Sequence, residues 1–420
     1  MNGLNMKNII PNKNNTFCYY PFYALTMKLF DHNGKLDKVA PCCKMHNNET
    51  SLLTKEELTN LTPQQIFEHD KFNQLRFDGL NNVRNPHCKI CWDQEDRDIN
   101  SYRMNSSWIF QDEFKKDLRE FDVSFSNKCN LVCRMCNLGG SHQFHKDIKF
   151  FQDNSMMQQV KKATAGGLQA PRGKTITEFD LSWLLDNFKQ IQILKISGGE
   201  PLYDKKVLKL LNLILENEHA KNVIIQFHTN ATLLDDNAIQ MLNNFKQQAH
   251  VFSVDGTENI YNYIRYKSSF DLIENNIANW IYNSTNIRSV AFNMVLSCLN
   301  VLNIKKYIEW ISYSFAYKHK IKIHISEIRP WHRGTSLYNM PIHLLEKSKT
   351  ELIKLKNPFP NLIHYDLNNI IRLIELGIEQ NTFEKNKHLL KSEIVLFDKS
   401  RNQNYRNFLD PLLIEVLEKI

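Results

Sequence analysis

The sequence lacks any apolar run long enough to cross a membrane, which takes about 18 to 20 consecutive residues. Its first residues, Met1–Asn15, are rich in Asn and Lys and contain no apolar segment of the kind found in secretory signals. These two absences predict a cytoplasmic protein without a membrane partner. Glycine and proline are also scarce, at 13 and 12 residues, which excludes collagen-like repeats and long flexible linkers.

Neither sign of charge dominates the sequence. Lys and Arg together number 53 and Asp and Glu 45, a net charge of +8, and the two signs are interleaved along the chain. This balance does not indicate a nucleic-acid partner. Hydrophobic residues make up 42% and charged residues 23%, which is the composition of an ordinary folded protein. With 420 residues, the chain is long enough for two or three domains.

From about residue 121 onward, buried-strand patterns alternate with amphipathic helical patterns. Strands are predicted at Phe121–Ser126, Gln192–Ser197, Val223–His228, Val251–Val254, Val290–Leu296 and Ile321–Ile325. Helices are predicted at Lys205–Glu216, Asp235–Gln247, Phe270–Tyr282 and Ile304–Ala316. This alternation predicts an α/β fold whose parallel sheet is curved into a partial barrel.

Before residue 120 the pattern differs. Strands predicted at Phe22–Phe30 and Leu36–Ala40 flank Asn33-Gly34, a dipeptide that strongly indicates a β-hairpin. The stretch Leu52–Leu80 has a helical pattern, and Thr62 followed by Pro63 marks a helix start within it. We therefore predict a small α+β region at this end of the chain.

These shifts in pattern predict three domains. They are an N-terminal α+β domain over residues 1–115, a partial (βα)6 barrel over 116–335 and a helical C-terminal extension over 336–420. Between the first two barrel strands, Gly139–Thr177 is longer than one crossover requires, and we predict a helix followed by a loose loop.

The cysteines are the most informative residues of the sequence. In a reducing compartment they are not expected to form disulfides. Eight of the nine lie in the first third of the chain, which favours soft-metal ligation over scattered structural thiols. The ninth, Cys298, is predicted to be a small buried hydrophobe.

Cys129, Cys133 and Cys136 form a C-x3-C-x2-C pattern directly after the first barrel strand. Ligands bind at the carboxyl ends of parallel strands, so this loop is a candidate site. Three thiolates can hold a 4Fe-4S cube and leave its fourth iron without a protein ligand. The alternative is a structural zinc site, although such sites have four ligands and no fourth ligand stands at a suitable spacing.

At these residues the sequence resembles the radical S-adenosylmethionine (SAM) superfamily, in which three such cysteines hold a 4Fe-4S cluster that binds SAM. Met135 occupies the family's aromatic position, where the resemblance implies a contact with the adenine. Gly198, Gly199 and Glu200, followed by Pro201, resemble the family's GGEP motif. The glycines would permit close approach of the methionine amino group, and Glu200 would accept a hydrogen bond from it.

Two later strand ends extend the resemblance, which covers Phe121 to about Trp331. Asn230 lies in a segment similar to the family's TNG and could bond a ribose hydroxyl, although Ala231 replaces the glycine. Ser253 and the downstream Arg265 resemble the family's fourth-strand segment, near the cofactor's ribose and carboxylate. The alternative for these two residues is a turn cap and a surface ion pair.

The N-terminal thiols suggest a second, closed metal site. The hairpin would bring Cys42 and Cys43 towards Cys18, and Cys88 and Cys91 would supply two more thiols from one helical turn. Zinc fits this geometry as well as a cluster does. The stretch resembles the twitch-type domain of some radical SAM proteins, which implies an auxiliary 4Fe-4S cluster. Five thiols serve four places, so one of Cys42 and Cys43 is expected not to bind.

The resemblance implies an enzyme that cleaves SAM reductively to a 5′-deoxyadenosyl radical and abstracts hydrogen from a substrate. It does not extend to the choice of substrate, although relatives with a twitch-type domain include enzymes that modify peptides and proteins. It also implies an external electron donor such as flavodoxin or ferredoxin. Glu327 and Arg329, at the end of the last barrel strand, are candidate substrate contacts or partners in an ion pair between elements. The competing hypothesis is a zinc-stabilised module that binds nucleic acid or protein without catalysis.

Overall fold

The structure is a computed structural model. It describes residues 11–12, 14–28, 38–45, 52–58, 61–104, 106, 116–136, 140–144, 146–147, 190–316, 319–327, 334–355 and 364–420. Three predictions lie wholly or mostly outside the described residues: the turn at Asn33-Gly34, the helix and loop over 139–177, and the role of Arg329.

Every predicted strand is present, with bounds that differ by a few residues. The strands are β1 (Ala24–Lys28), β2 (Lys38–Ala40), β3 (Glu120–Ser124), β4 (Ile193–Ser197), β5 (Ile224–Thr229), β6 (Gln247–Ser253), β7 (Ile287–Leu296) and β8 (Ile321–Glu327). The first four residues of β3 and of β4 are all buried. Such continuous burial is expected of strands in a parallel sheet that is covered on both faces.

The strand order is β2-β1-β3-β4-β5-β6-β7-β8, so the sheet is open and has two edges. β1 pairs with β2 in the antiparallel sense, with Thr26 opposite Ala40, as the hairpin prediction requires. β1 also pairs with β3 in the parallel sense, with Ala24 opposite Glu120. The sequence did not predict this second pairing, because a hairpin pattern carries no information about a third strand.

Helices occupy the intervals between the strands. Those of the N-terminal part are α1 (Tyr20–Tyr23), α2 (Lys55–Leu58), α3 (Pro63–Glu68), α4 (Asp70–Leu80) and α5 (Lys89–Glu95). Those that alternate with β4 to β8 are α6 (Lys205–Glu216), α7 (Asp236–Leu242), α8 (Glu258–Ile264), α9 (Phe270–Asn283) and α10 (Ile304–Ser314). The four predicted helices are confirmed, whereas α8 was not predicted.

Side-chain caps explain several helix starts. Thr62 and Gln65 form a capping box at the start of α3, as the Thr-Pro signal predicted. Asp235 accepts a hydrogen bond from Ala238 N at α7, and Ser269 accepts one from Leu272 N at α9. These local signals fix the helix positions independently of packing.

The C-terminal part is helical, as predicted. Its helices are α11 (Ile342–Lys354), α12 (His364–Glu379), α13 (Phe383–Arg401) and α14 (Pro411–Glu418). Among the described residues, no helix combines the length and the apolar composition needed to cross a bilayer. The fold class is therefore α/β, with an open, mostly parallel sheet and a helical C-terminal region.

The chain divides into two compact units. Unit 1 consists of Met1–Ser126, Pro171–Ser197 and Lys209–Gln226, and unit 2 of Asn127–Ala170, Gly198–Leu208 and Phe227–Ile420. Unit 1 contains an aromatic cluster from Phe17 to Ala24. In unit 2, the Phe252 ring lies edge-on to Trp280 and tilted against Phe292, with centroids 5.3 and 5.7 Å away. The predicted domain boundaries after residues 115 and 335 stay predictions.

Candidate functional site

The three cysteines of the C-x3-C-x2-C pattern lie in unit 2 on a loop that is held by hydrogen bonds to nearby residues. Cys129 N donates to Nδ1 of His142 at 3.2 Å, and Leu131 N lies 3.4 Å from the Cys129 sulfur. Ser141 Oγ donates to Leu131 O at 2.7 Å. Cys129 is buried, whereas Cys133 and Cys136 are partly exposed, and all three are free thiols. The loop is thus fixed at its start and accessible at its end.

The thiols of this loop are electrostatic neighbours. Burial raises the pKa of Cys129, and the thiolates of Cys133 and Cys136 raise it further. Burial also raises the pKa of Cys133, while the Arg265 guanidinium lowers it. The protein without metal therefore favours protonated thiols, and metal binding would be coupled to the release of their protons.

Gly199 brings the GGEP segment against the backbone of the cysteine loop. A Cβ atom at this position would lie 2.0 Å from Lys128 O and 2.4 Å from Lys128 C. The adjacent Glu200 N donates to Lys128 O at 2.8 Å. The sequence predicted that no side chain fits here. The neighbour that excludes it is the loop backbone directly before Cys129, and not only a bound cofactor.

Glu200 is a buried carboxylate with a fixed orientation. Oε1 accepts a hydrogen bond from the Thr229 hydroxyl and Oε2 accepts one from Asn230 N, both at 2.7 Å. Burial raises the pKa of Glu200 to about 7, although the hydrogen bonds from Asn230 and Thr229 act in the opposite direction. Such a carboxylate gains from pairing with a cation.

Asn230 links the end of β5 to the cysteine loop. Its Nδ2 donates to Asn130 Oδ1 at 3.0 Å and lies 3.9 Å from the Cys129 sulfur. The next residue, Ala231, has a φ of 61°, a conformation that favours glycine. In the sequence, Ala231 stands where the family has glycine. The backbone at this residue nevertheless adopts the left-handed conformation.

Arg265 lies at the end of α8 in a buried ion pair. Its Nε and Nη2 both contact Asp255 Oδ2 at 2.7 Å, and Asp255 Oδ1 accepts a hydrogen bond from Val295 N at 2.7 Å. The pair is not on the surface, because the two side chains are 11% and 1% exposed. The Arg265 guanidinium also lowers the pKa of Cys133, after the larger effect of burial. Arg265 therefore lies in the neighbourhood of the cysteine loop.

The remaining residues singled out from the sequence are Met135, Ser253, Glu327 and Cys298. Met135 is buried beside Cys136, and Ser253 ends β6 opposite Asn293 of β7. Glu327 ends β8 and accepts a hydrogen bond from the Tyr338 hydroxyl at 2.8 Å, which is a contact between elements. Cys298 is buried as predicted, and its sulfur lies 2.8 Å from Ser336 O.

Four of the five N-terminal thiols line one cavity in unit 1. The four are Cys18, Cys42, Cys88 and Cys91. Burial raises the pKa of each. Neighbouring thiolates of the same set raise the pKa of Cys18 and Cys88 further. For Cys42 the thiolate of the adjacent Cys43 raises the pKa most after burial, followed by those of Cys91 and Cys18. Cys43 does not line the cavity. After burial, the charges that most affect the pKa of Cys43 are those of Asp122, Lys44 and Lys195.

A buried ion pair supports this cavity. Arg103 Nη2 contacts Glu95 Oε2 at 2.6 Å, and the two side chains are 2% and 4% exposed. Arg103 Nη1 donates to Phe17 O at 2.7 Å, next to Cys18 in the sequence. The Arg103 guanidinium also lies 5.0 Å from the Trp92 ring centroid. The sequence analysis missed this pair, because neither residue belongs to a motif.

A second buried charged group lies beside Cys43 in unit 1. Lys195 Nζ contacts Glu120 Oε1 at 2.6 Å. Burial raises the pKa of the nearby Asp122 to about 7, against the opposing effect of Lys195. The sequence analysis missed this group as well. The available signal was a charged residue within each of two apolar strand patterns, which is unusual for a buried strand.

Across the described residues, no three Cys, His, Asp or Glu side chains already converge on the position of one metal ion. A Zn²⁺ ion holds its sulfur ligands at about 2.3 Å. A four-iron cluster is a larger body with its thiolates further apart. The two thiol sets are therefore defined by their common neighbours and burial, and not by a preformed coordination sphere.

Comparison with known proteins gives the family of this region. Residues 123–310 match the model of the radical SAM superfamily. A probable GTP 3′,8-cyclase from Methanocaldococcus jannaschii is 29% identical over 126 residues, which is 30% of this chain and 33% of that protein. This chain thus spans a third of the length of the curated relative.

Two solved structures are similar at a distant level. One is SuiB of Streptococcus suis bound to the precursor peptide SuiA, with a TM-score of 0.37 and 14% identity over 76% of this chain and 58% of that one. The other is SuiB bound to S-adenosylmethionine, with a TM-score of 0.33 and 13% identity over 72% of this chain and 52% of that one. By this match, residues 123–310, a little under half of the chain, contain a radical SAM superfamily domain.

Proposed function

We propose that Cys129, Cys133 and Cys136 hold a 4Fe-4S cluster with one open iron, and that SAM binds beside it. Once bound, such a cluster would supply one electron for the reductive cleavage of SAM to methionine and a 5′-deoxyadenosyl radical, and this radical would abstract hydrogen from the substrate. The observation that carries the proposal is the contact of the Gly199-Glu200 segment with the backbone of the three-cysteine loop, at Lys128 O.

Glu200 is proposed to bind the ammonium group of SAM. Its carboxylate is already oriented by Thr229 and Asn230, so binding would not require a search through side-chain rotamers. The paired cation would also compensate the buried negative charge. Asn230 is proposed to donate to a ribose hydroxyl, and its amide is already held by Asn130 near the Cys129 sulfur.

Met135, Ser253 and Arg265 are proposed to complete the binding of SAM. Met135 is buried on the cysteine loop, where a polarisable thioether can pack on a purine. Arg265 forms an ion pair with the buried Asp255 and lowers the pKa of Cys133, against the larger effect of burial. The Arg265 charge therefore contributes to the same site. Exclusion of water by the buried residues would protect a reactive radical from side reactions.

For unit 1 we propose an auxiliary 4Fe-4S cluster held by Cys18, Cys42, Cys88 and Cys91. These four thiols line one cavity, which supports Cys42 over Cys43 as the fourth ligand. Four cysteines are the usual ligand set of such a cluster. Arg103 lines the same cavity and would partly neutralise the anionic site.

The substrate is proposed to be a peptide or protein, with flavodoxin or ferredoxin as the electron donor and the reducing cytoplasm as the location. GTP, the nucleotide in the name of the archaeal relative, is the comparison compound. Turnover in the presence of GTP with formation of a modified nucleotide would contradict a peptide substrate. A mass change in a peptide, with incorporation of its hydrogen into deoxyadenosine, would support it.

The test is anaerobic reconstitution followed by measurement of deoxyadenosine with SAM and reductant. Replacing Cys129, Cys133 and Cys136 with Ala should abolish deoxyadenosine formation. Cys298→Ala is the matched control, because this thiol is also buried but lies against Ser336 O outside the loop. Unchanged deoxyadenosine formation in the triple variant would refute the proposal. A colourless protein loaded with zinc would favour the binding module instead.

A further inference from the structure

The C-terminal helix α13 packs directly on the three-cysteine loop. Phe397 of α13 forms a buried cluster with Val132 and Phe144, and the two phenyl centroids are 6.2 Å apart. Val132 stands immediately before Cys133 in the sequence. The C-terminal extension, which lies outside the matched residues 123–310, therefore contributes to the environment of the loop.

Arg134, between two of the cysteines, is held by the same helix. Its Nη2 contacts Asp398 Oδ1 at 2.6 Å, with side chains that are 2% and 9% exposed. Its Nε donates to Tyr263 O at 2.9 Å, and its guanidinium lies 3.6 Å from the Tyr263 ring centroid. Asp398 also accepts a hydrogen bond from the Tyr263 hydroxyl. Nε and Nη2 of Arg134 are thus both engaged by contacts within the protein.

Arg401, at the end of α13, is engaged on one side only. Its Nη2 contacts Asp147 Oδ2 at 2.8 Å, and Ser400 Oγ donates to Asp147 Oδ1 at 2.9 Å. The guanidinium lies against the Phe397 and Tyr266 rings, with centroid distances of 4.6 and 5.4 Å. The side chain is 0% exposed. Within the part of the chain that the structure describes, Arg401 is therefore a buried cation paired with the carboxylate of Asp147.

Two donors of Arg401 have no hydrogen-bond partner among the described residues. Nε and Nη1 are buried and lack a hydrogen bond, so far as the structure describes the chain. Buried charged donors are rarely left unsatisfied, because desolvation without compensation is costly. Both rings that contact the Arg401 guanidinium belong to residues that also contact Val132, directly before Cys133. Phe397 packs on Val132, and Tyr266 O accepts a hydrogen bond from Val132 N at 3.3 Å. The unsatisfied donors therefore lie close to the cysteine loop.

We infer that Arg401 of the C-terminal helix is an anion-binding residue of the cofactor site, with Nε and Nη1 donating to an anionic acceptor of the loaded protein. This inference rests on the proposed function. The acceptor is either a sulfur of the cluster assembly or the carboxylate of SAM, since both present negative charge to a guanidinium. In either case the helical C-terminal extension contributes a residue to the cofactor site.

The experiment compares Arg401→Lys with wild type after anaerobic loading. Lysine keeps the charge and the pairing with Asp147 but loses the planar set of donors. Arg406→Lys is the matched control, because Arg406 is 53% exposed and pairs with Glu418 away from the loop. The double variant Arg401→Met, Asp147→Asn removes the cation together with its partner charge and so avoids an uncompensated buried carboxylate.

Three readouts are used, none of which is turnover: iron content, the SAM dissociation constant and the cluster midpoint potential without SAM. If the acceptor is the carboxylate, Arg401→Lys should raise the SAM dissociation constant about tenfold, while decarboxylated SAM binds both proteins equally. If the acceptor is a cluster sulfur, the midpoint potential should become more negative, because donors stabilise the reduced state. Arg406→Lys should change neither quantity.

Two outcomes separate the inference from the proposal beneath it. If wild type loads its three-cysteine cluster, and both Arg401 variants match it in SAM affinity and in midpoint potential, the inference is overturned and the proposed function stands. If wild type takes up no cluster at Cys129, Cys133 and Cys136, the proposed function fails and the inference fails with it.

Discussion

The two thiol groups of this protein are assembled in different ways. The first, in unit 2, comes from eight consecutive residues between Cys129 and Cys136. The second, in unit 1, comes from separate segments that carry Cys18, Cys42 and the pair Cys88 and Cys91. A site on one loop depends on the conformation of that loop, whereas a site made of distant segments depends on the packing of the whole region.

The supporting contacts differ in the same way. The loop is positioned by backbone contacts, above all that of Gly199 with Lys128. The cavity of unit 1 is positioned by the buried pair of Arg103 and Glu95 and by side chains around Trp92. We therefore expect the first site to be sensitive to steric changes in the backbone, and the second to loss of a buried charge.

The largest effect is expected for Gly199→Val. A side chain at this position collides with backbone atoms of Lys128, so the cysteine loop must move. We predict loss of SAM binding together with loss of about four irons, measured by iron analysis and equilibrium dialysis. Gly79→Ala is the control, because its Cβ would lie 3.6 Å from Thr16 O, an ordinary contact. Full iron content with only weaker SAM binding would show that the loop tolerates the collision.

Replacing the adjacent residues Cys42 and Cys43 one at a time with Ala tests the second site. Cys42→Ala should remove about four irons, since a four-cysteine cluster loses a ligand. Cys43→Ala should leave the iron content unchanged, because Cys43 lies beside Asp122 and Lys195 and not on the cavity. Equal iron content in the two variants, or loss only in Cys43→Ala, would contradict the assignment.

Removing the buried cation should destabilise unit 1. Arg103→Met leaves the buried Glu95 without its cation, which costs about 3 to 5 kcal/mol. Limited proteolysis should then cut the N-terminal region at a lower protease concentration than in wild type. Arg84→Met is the control, because its pair with Asp96 is about half exposed. Equal protection in Arg103→Met and wild type would show that packing alone holds the region.

The smallest effect is a pH dependence at Asp122. Burial raises its folded-state pKa from 3.8 to about 7, against the opposing charge of Lys195 and with the repulsion of Glu120. Between these pH values the folded state binds the proton more tightly, so the contribution of Asp122 to stability falls as pH rises and is lowest above pH 7. The free energy of unfolding of Asp122→Asn, relative to that of wild type, should therefore be larger at pH 8 than at about pH 4. The difference between the two pH values should be on the order of 2 to 4 kcal/mol.

Thermal unfolding of both proteins from about pH 4 to pH 8 measures this difference. Asn keeps the size of the side chain and leaves Lys195 paired with Glu120. A constant difference in Tm across the range would mean that Asp122 is already ionised throughout it.

The sequence predicted most of the fold because its signals are local. Each of the six barrel strands has an apolar pattern of its own, and caps such as Thr62 mark helix starts directly. The parallel pairing of β1 with β3 was not predictable, since a partner about a hundred residues away leaves no mark on either pattern. Helix α8 was missed because, unlike the equally short α7, it has no side-chain cap that marks its start.

The candidate sites show the same difference between local sequence signals and contacts of distant residues. Cys129, Cys133 and Cys136 are readable from spacing, because one loop supplies all three. The sequence did not indicate which of Cys42 and Cys43 is the ligand, and only their surroundings in unit 1 distinguish the two thiols. The pair of Arg134 and Asp398 joins residues 264 positions apart, so no motif could have indicated it.

We propose that the protein carries two separate clusters, each on its own thiol set. The most direct measurement is iron content together with SAM cleavage in two complementary variants, one with Ala at Cys129, Cys133 and Cys136 and one with Ala at Cys88 and Cys91. We predict about eight irons in wild type and about four in each variant, with deoxyadenosine formation abolished in the first. About four irons in wild type, or loss of all iron in either variant, would contradict the claim.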